Sequence, residues 1–213
     1  VNPQLPVSVS ILASATTVCA GTSVTYTATP VNGGSAPAYQ WKVNGTNAGL
    51  NSATFSYIPA NGDIITVVLT SNATCATGSP ATSNAISMTV NPVLPVSISI
   101  SESANNVCAG TSVTYTAAGV NGGSNPVYQW KVNGVNVGVN LSTYSYTPLN
   151  GDVITCVLTS NEICTSGNPA TSNSVVMTVN PNLPVSVTIA ASPAGAICAG
   201  TPVTFTATPA NGG

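Results

Sequence analysis

A chain of 213 residues with only two Lys and Arg, four Asp and Glu, no His and a formal net charge of −2 excludes several classes of function before any motif is read. Two cations cannot neutralise a run of phosphates, which excludes nucleic acid as a partner, and the usual proton carrier of acid–base catalysis is missing. Apolar residues alternate with Thr and Ser, and no run approaches the roughly 20 needed for a membrane-spanning helix, so no membrane insertion is expected in this segment.

In chain order, Asn2-Pro-Gln-Leu-Pro6 leads into Val7, Val9 and Ile11, which alternate with Ser and predict a first strand. After Cys19-Ala-Gly-Thr-Ser, a second strand carries Val24, Tyr26 and Ala28 against intervening Thr. Beyond the turn at Asn32-Gly-Gly, Tyr39, Trp41 and Val43 share one face of a third strand that Asn44-Gly45 ends. Phe55 and Tyr57 form a further pair. Ile65, Val67 and Leu69 follow Asn61-Gly-Asp63, and Ile86, Met88 and Val90 close the series. Period-2 alternation with turn residues at short intervals predicts an all-β antiparallel sandwich of seven strands and no helix.

The whole pattern then returns 89 positions later: Val113, Tyr115 and Ala117; Tyr128, Trp130 and Val132; Tyr144 and Tyr146; Ile154, Cys156 and Leu158; Val175, Met177 and Val179. It starts again at Val185, Val187 and Ile189 with Val203, Phe205 and Ala207. A fixed period of this size marks a tandem array. Residues 1–91 read as a first repeat, 92–180 as a second and 181–213 as the start of a third, and the chain reads as an internal piece of a longer protein. Asn-Pro-x-Leu-Pro recurs at 91–95 and 180–184, and two prolines in five residues make a short, semi-rigid joint rather than a tether.

The carboxylates offer little chemistry. Asp63 and Asp152 recur at Gly-Asp turns, where a carboxylate accepts backbone N–H bonds. Glu102 and Glu162 have no acidic counterparts in the first repeat and read as surface variation. Calcium needs several oxygen ligands gathered together, and no Asp cluster supplies them. The tryptophans could form a sugar-stacking platform, but Trp41 and Trp130 lie in phase with Val43 and Val132, which assigns them to the core. No catalytic, cofactor-binding or metal-ligating residue is assigned, and the chain is not expected to be an enzyme.

The order Gly-x-x-Val-x-Tyr-x-Ala followed by Trp thirteen residues on and Gly-Asp before a later strand resembles the immunoglobulin-like sandwich, with Trp41 and Trp130 as its third-strand tryptophans. Ala28 and Leu69 stand where an antibody domain carries its bridging cysteines, and Val67 or Cys156 where it carries its corner tyrosine. The combined motifs Cys-Ala-Gly-Thr-Ser-Val-Thr, Tyr-Gln-Trp-Lys-Val-Asn-Gly, Asn-Gly-Asp and Thr-Ser-Asn-x-x-Cys look like the PKD-like and immunoglobulin-like tandem repeats of large Bacteroidota cell-surface proteins, such as gliding-motility adhesins of the SprB type. That resemblance implies secretion through the type IX system, display on the cell surface, and a structural or adhesive shaft whose partners are neighbouring repeats, other copies of the filament or surface glycans. The alternative it leaves is a spacer or carbohydrate-binding region of a secreted polysaccharide-degrading enzyme.

Six cysteines at repeating positions, without His or a C-x-x-C pair, point to disulfides in an oxidising compartment. Counting alone pairs Cys19 with Cys75. In an immunoglobulin-like topology, however, those two lie at opposite ends of a sandwich about 20 Å long, beyond the ~4.4–6.8 Å Cα reach of a disulfide. The chain enters a repeat at one end and leaves at the other, so Cys19 is expected to meet Cys164, in the long final loop of the next repeat. Cys75 and Cys198 are then expected to reach outside the chain, and Cys108 to do likewise or to bond Cys156.

Overall fold

The computed structural model describes residues 2–212, and every regular element in it is a strand. It divides into two compact units, one formed by Val1–Val96 with Asn161–Asn168, the other by Ser97–Ser160 with Pro169–Gly213. Each holds an immunoglobulin-like antiparallel sandwich.

In the first unit Val24–Val31 lies between Ser8–Ala13 and Thr54–Tyr57 in a three-stranded sheet, with Ile11 opposite Ala28 and Tyr26 opposite Phe55. The facing sheet runs Thr46–Ala48, Ala38–Val43, Ile64–Thr70, with Trp41 opposite Val67. Residues at every second position of these strands point inward. Val9, Ile11, Val24 and Tyr26 from one sheet therefore pack against Trp41, Ile65, Val67, Leu69 and Met88 from the other. The second unit repeats this arrangement, with Ile100 opposite Ala117 and Trp130 opposite Cys156. It also carries the hairpin Ser186–Ser192 with Thr204–Ala210.

Local chemistry explains the corners. The two-residue turns Asn44-Gly45 and Asn133-Gly134 have positive φ at both positions, as a hairpin turn that matches strand twist requires, and Asn and Gly tolerate it best. At Gly49 and Gly138 an added Cβ would come within 2.6 Å and 2.9 Å of the Phe55 and Tyr144 rings, so glycine lets each ring lie flat on the backbone.

The last strand of each sandwich is interrupted. Ala81–Thr82 and Ile86–Ser87 both pair with Ile64–Thr70, and between them Asn84 turns its amide to the other sheet. Its Oδ1 accepts the Ile11 N–H at 2.8 Å and its Nδ2 donates to the Ile11 carbonyl at 3.1 Å. Asn173 does the same for Ile100. A side-chain amide thus takes the place of a neighbouring strand, satisfying edge groups that would otherwise face solvent unpaired. To these antiparallel sheets the chain adds short parallel pairings: Leu5–Pro6 with Ala76–Thr77, Thr17–Cys19 with Thr89–Asn91, Leu94–Pro95 with Thr165–Ser166, and Val107–Cys108 with Val179–Asn180.

Candidate functional site

The short parallel pairings hold or flank four of the six cysteines, Cys19, Cys75, Cys108 and Cys164. Cys19 ends the strand Thr17–Cys19 opposite Asn91, and the following residue anchors it, Ala20 donating its N–H to the Asn91 carbonyl at 2.8 Å. Within the same unit the segment Asn161–Asn168 lies along the proline joint. Leu94 N–H donates to the Cys164 carbonyl at 2.8 Å and Val96 N–H to the Ser166 carbonyl at 2.9 Å. These two frames bring Cys19 and Cys164 together, and a disulfide joins them across 145 residues of sequence at a Cα separation of 5.5 Å, inside the usual range. Cys164 is buried, and a shallow groove of about 280 Å³ beside it is lined by Asn91, Pro92, Leu94, Glu162 and Ile163.

Cys75 and Cys108 occupy equivalent frames without a bond. Cys75 precedes Ala76–Thr77, with Leu5 N–H donating to its carbonyl at 3.0 Å as Leu94 does to Cys164. It is exposed and free, so the pairing with Cys19 that counting suggests does not form. Cys108 reproduces Cys19: it sits opposite Asn180, and Ala109 N–H donates to the Asn180 carbonyl at 2.8 Å. Cys108 is exposed and free beside a groove of about 410 Å³ lined by Ala109, Gly110, Leu149, Val179 and Pro181.

The expected alternative of a Cys108–Cys156 bond is corrected. Cys156 is fully buried opposite Trp130, on the inward face of its strand, and burial pushes its thiol up to about 11. It serves as a small core residue, like Val67 in the first unit. Cys198 is exposed and free and closes the same tight turn as Cys19 and Cys108, its carbonyl accepting the Thr201 N–H. No strand pairs with it among the described residues.

The recurring aspartates fill their turns and reach further than the turn role requires. Asp63 Oδ2 accepts the Ala60 N–H at 2.8 Å and the Tyr57 hydroxyl at 2.9 Å, while its Oδ1 accepts the Asn44 amide at 2.8 Å. Asp152 takes the matching bonds from Leu149, Tyr146 and Asn133. Burial by itself raises each carboxyl, but the backbone N–H, the Asn amide and the Tyr hydroxyl outweigh it and hold both below the usual carboxylate range. Tyr57 and Tyr146 are pushed well above theirs, by burial first and then by the adjacent carboxylate. These tyrosines look like plain sheet residues in the sequence. Their one signal is that Tyr, unlike Phe, stands six positions before each Gly-Asp aspartate.

Trp41 and Trp130 are both 0% exposed, and their indole N–H groups donate to the Ser52 and Leu141 carbonyls at 2.8 and 3.0 Å. They sit in an aromatic layer with Tyr26 and Phe55, or with Tyr115 and Tyr144. Glu102 accepts the Asn105 amide at 3.3 Å, and Glu162 lines the groove at Cys164. Among the described residues no three His, Cys, Asp or Glu side chains gather as metal ligands, and no helix is long and apolar enough to cross a membrane.

No protein-family model and no curated protein matches the chain. Among solved structures, the three N-terminal domains of the bacteriophage RB49 highly immunogenic outer capsid protein are similar over 96% of this chain and 69% of that one, at 12% identity and a TM-score of 0.34.

Proposed function

We propose that this chain is a stretch of the shaft of a long extracellular cell-surface filament or adhesin, that it is not an enzyme, and that its work is mechanical. The observation that carries the reading is the Cys19–Cys164 disulfide, which joins two residues of one compact unit and closes 145 residues of sequence. A bond of that kind persists in oxidising compartments outside the cytosol. It also sets how far the chain lengthens under load, because residues between the two cysteines cannot extend while the bond holds.

Three further features support the same role. The joints carry two prolines each, and those at 2–6 and 91–95 are pinned to the adjoining loops by backbone hydrogen bonds, which favours stiffness over a free tether. The exterior is polar and almost uncharged, so ionic contacts with other macromolecules are few and salt changes little. The tryptophans lie in the core and so offer no stacking platform, which favours the shaft over a carbohydrate-binding spacer.

Pulling single molecules from their two ends tests the reading. The oxidised chain is expected to withhold the span between Cys19 and Cys164, and added reductant to release it, lengthening the trace by roughly 500 Å at about 3.5 Å per residue. Equal extension with and without reductant would remove the mechanical role. Antibody raised against the chain is expected to label intact producing cells; labelling only after lysis would rule out surface display.

A further inference from the structure

The Cys19–Cys164 disulfide is a clasp that decides which residues carry tension. With it closed, a pull on the chain enters at Cys19, crosses the two sulfurs and leaves from Cys164, and the residues between them are bypassed. Beyond Cys164 the load reaches Ala170–Thr171 and Val175–Val176, which pair with the strand Val153–Thr159. It therefore falls on the seam beside Cys156. There the Ser172 hydroxyl oxygen accepts the Cys156 N–H at 2.9 Å, and the Ser172 N–H donates to the Cys156 carbonyl at 2.9 Å.

Cys156 itself is fully buried and bears a free thiol. Packing does not require sulfur there, since Val67 fills the matching place in the first unit and is equally buried. A thiol so enclosed is inert, because no partner sulfur can approach it. Peeling away the stretch after Cys164 draws the buried Val175 and Met177 out of the core and opens a way to the thiol. Cys164 follows Cys156 by only eight residues, a link that spans at most about 28 Å and closes rapidly once the strand is loose. It also lines an open groove of about 280 Å³, which leaves room for an attacking sulfur.

We infer that Cys156 is a force-gated nucleophile that opens the Cys19–Cys164 clasp by exchange within the chain, moving the disulfide to Cys156–Cys164 and releasing the span that the clasp withholds. Two tendencies set the direction. In the folded chain the parallel pairings at Asn91 and Leu94 hold Cys19 and Cys164 in their frames, while Cys156 is shut in its core. In the loosened chain, closing a loop of eight residues rather than one of 145 is favoured roughly 80-fold, from the three-halves power of the length ratio. Exchange also lets a tense chain lengthen, so load drives it the same way.

The step balances without an outside oxidant or reductant. The Cys156 thiolate attacks the Cys164 sulfur, and the Cys156–Cys164 bond forms as the Cys19–Cys164 bond breaks. Cys19 leaves as a thiolate and takes up the proton that Cys156 lost, so one disulfide and one thiol stand on each side. The rate of such exchange depends on access to the attacking thiol. Burial of Cys156 beside the residues that bear the load therefore makes the step respond to tension.

The inference deepens the shaft reading and rests on it for the closed clasp and the load. It is tested on the full chain carrying C75S, C108S and C198S, so that no other thiol competes, and on the same chain with C156V added. Single molecules are held under constant load without reductant. With Cys156 present, a late step of roughly 480 Å is expected, the length from Cys19 to Cys156 at about 3.5 Å per residue, and reductant then adds only about 30 Å. With C156V no late step is expected until reductant is added. In bulk, the chain that keeps Cys156 is unfolded in urea without reductant, trapped with N-ethylmaleimide and mapped by its peptides. Cys156–Cys164 is expected after urea and Cys19–Cys164 in the folded chain. A span still withheld with Cys156 present, a Cys19–Cys164 bond that survives urea, or a Cys19–Cys156 bond would overturn the exchange and leave the shaft reading standing. Release from C156V without reductant would undercut both.

Discussion

The hairpin Ser186–Ser192 with Thr204–Ala210 and the hairpin Ser8–Ala13 with Val24–Val31 share a pattern and a register but differ in what they bury. Ile189 stands opposite Ala207 as Ile11 stands opposite Ala28, and Ala191 opposite Phe205 as Ala13 opposite Tyr26. Yet Ile189 is 70% exposed and Ile11 only 2%, while Phe205 is 70% exposed and Tyr26 is fully buried. Alternation and turn chemistry are enough to set pairing. Burial comes from the opposing sheet, whose Trp and Ile-Val-Leu strand the first two repeats possess and the hairpin does not meet among the described residues. Since a two-stranded hairpin is marginal in water, the facing sheet supplies most of the stability of each sandwich.

The largest effect that sharpens this contrast is removal of the residue that makes the facing sheet a lid. Trp130→Ala is expected to cost about 3–5 kcal/mol, the usual range for a large buried aromatic. It also strands the Leu141 carbonyl that now accepts the indole N–H. Phe205→Ala, on the hairpin, is expected to stay within about 0.5 kcal/mol. Urea unfolding of the two variants beside the parent measures both; equal losses would mean that the hairpin is buried in solution.

Next in size is the clasp. Cys19→Ser is expected to lower stability by about 2–4 kcal/mol, mainly by freeing the unfolded chain. Cys108→Ser, at the matching but unbonded position, is expected to change it by less than about 0.5 kcal/mol in the monomer. Thermal unfolding of the two variants separates them, and an equal response would mean that the bond does not constrain the chain.

A smaller effect lies at the aspartate corner that the sandwiches share and the hairpin lacks. Asp152→Ala leaves the Tyr146 hydroxyl and the Leu149 N–H without their acceptor, at a cost of about 1–3 kcal/mol. The corner also sets a pH window. The Asp63 and Asp152 pKa values are depressed in the folded chain, so their contribution is present above the unfolded value of about 3.9 and is lost as pH falls through the folded one. Tyr57 and Tyr146 are raised, so theirs is present below about 10 and is lost as pH rises beyond it. The melting temperature is expected to be flat from about pH 5 to 9 and to fall on both sides. In the double variant D63N and D152N the acid fall is expected to be shallower; an unchanged profile would show that other groups set the limits.

Much of this was legible in the residues because the signals are local. Alternation marks the strands, Asn44-Gly45 a hairpin turn, and the phase of Trp41 with Val43 a buried indole. The meeting of Cys19 with Cys164 depends on which end of the fold each loop occupies, information that a count of cysteines lacks. Harder to read were contacts whose partners are distant in sequence and not apolar. The parallel pairings are two or three residues long, too short for any period to register. The Asn84 amide bonds a strand 73 positions away, and in a chain rich in Asn nothing marks that residue out. The Tyr57 and Tyr146 hydroxyls were hidden because each ring satisfies the apolar alternation by itself.

The smallest effect concerns a single oxygen. Positions 26, 115 and 205 are equivalent in the repeat and carry Tyr, Tyr and Phe, so the ring recurs while the hydroxyl does not. The buried tyrosines do not need the hydroxyl for bonding. That of Tyr115 lies near enough to Tyr146 to couple with its ionisation, but it reaches no partner in hydrogen-bond geometry. A buried hydroxyl without a partner carries a desolvation cost that no bond offsets, whereas its replacement by hydrogen leaves the ring packing on Trp130 and Tyr144 in place. Tyr115→Phe is therefore expected to leave stability unchanged or raise it by up to about 1 kcal/mol. Tyr146→Phe, which deprives Asp152 of a donor, is expected to lower it by about 1.5–3 kcal/mol. Denaturant midpoints of the two variants at neutral pH decide the matter: a loss at position 115 as large as at 146 would mean that the Tyr115 hydroxyl does hold a bond, through Tyr146 or a buried water.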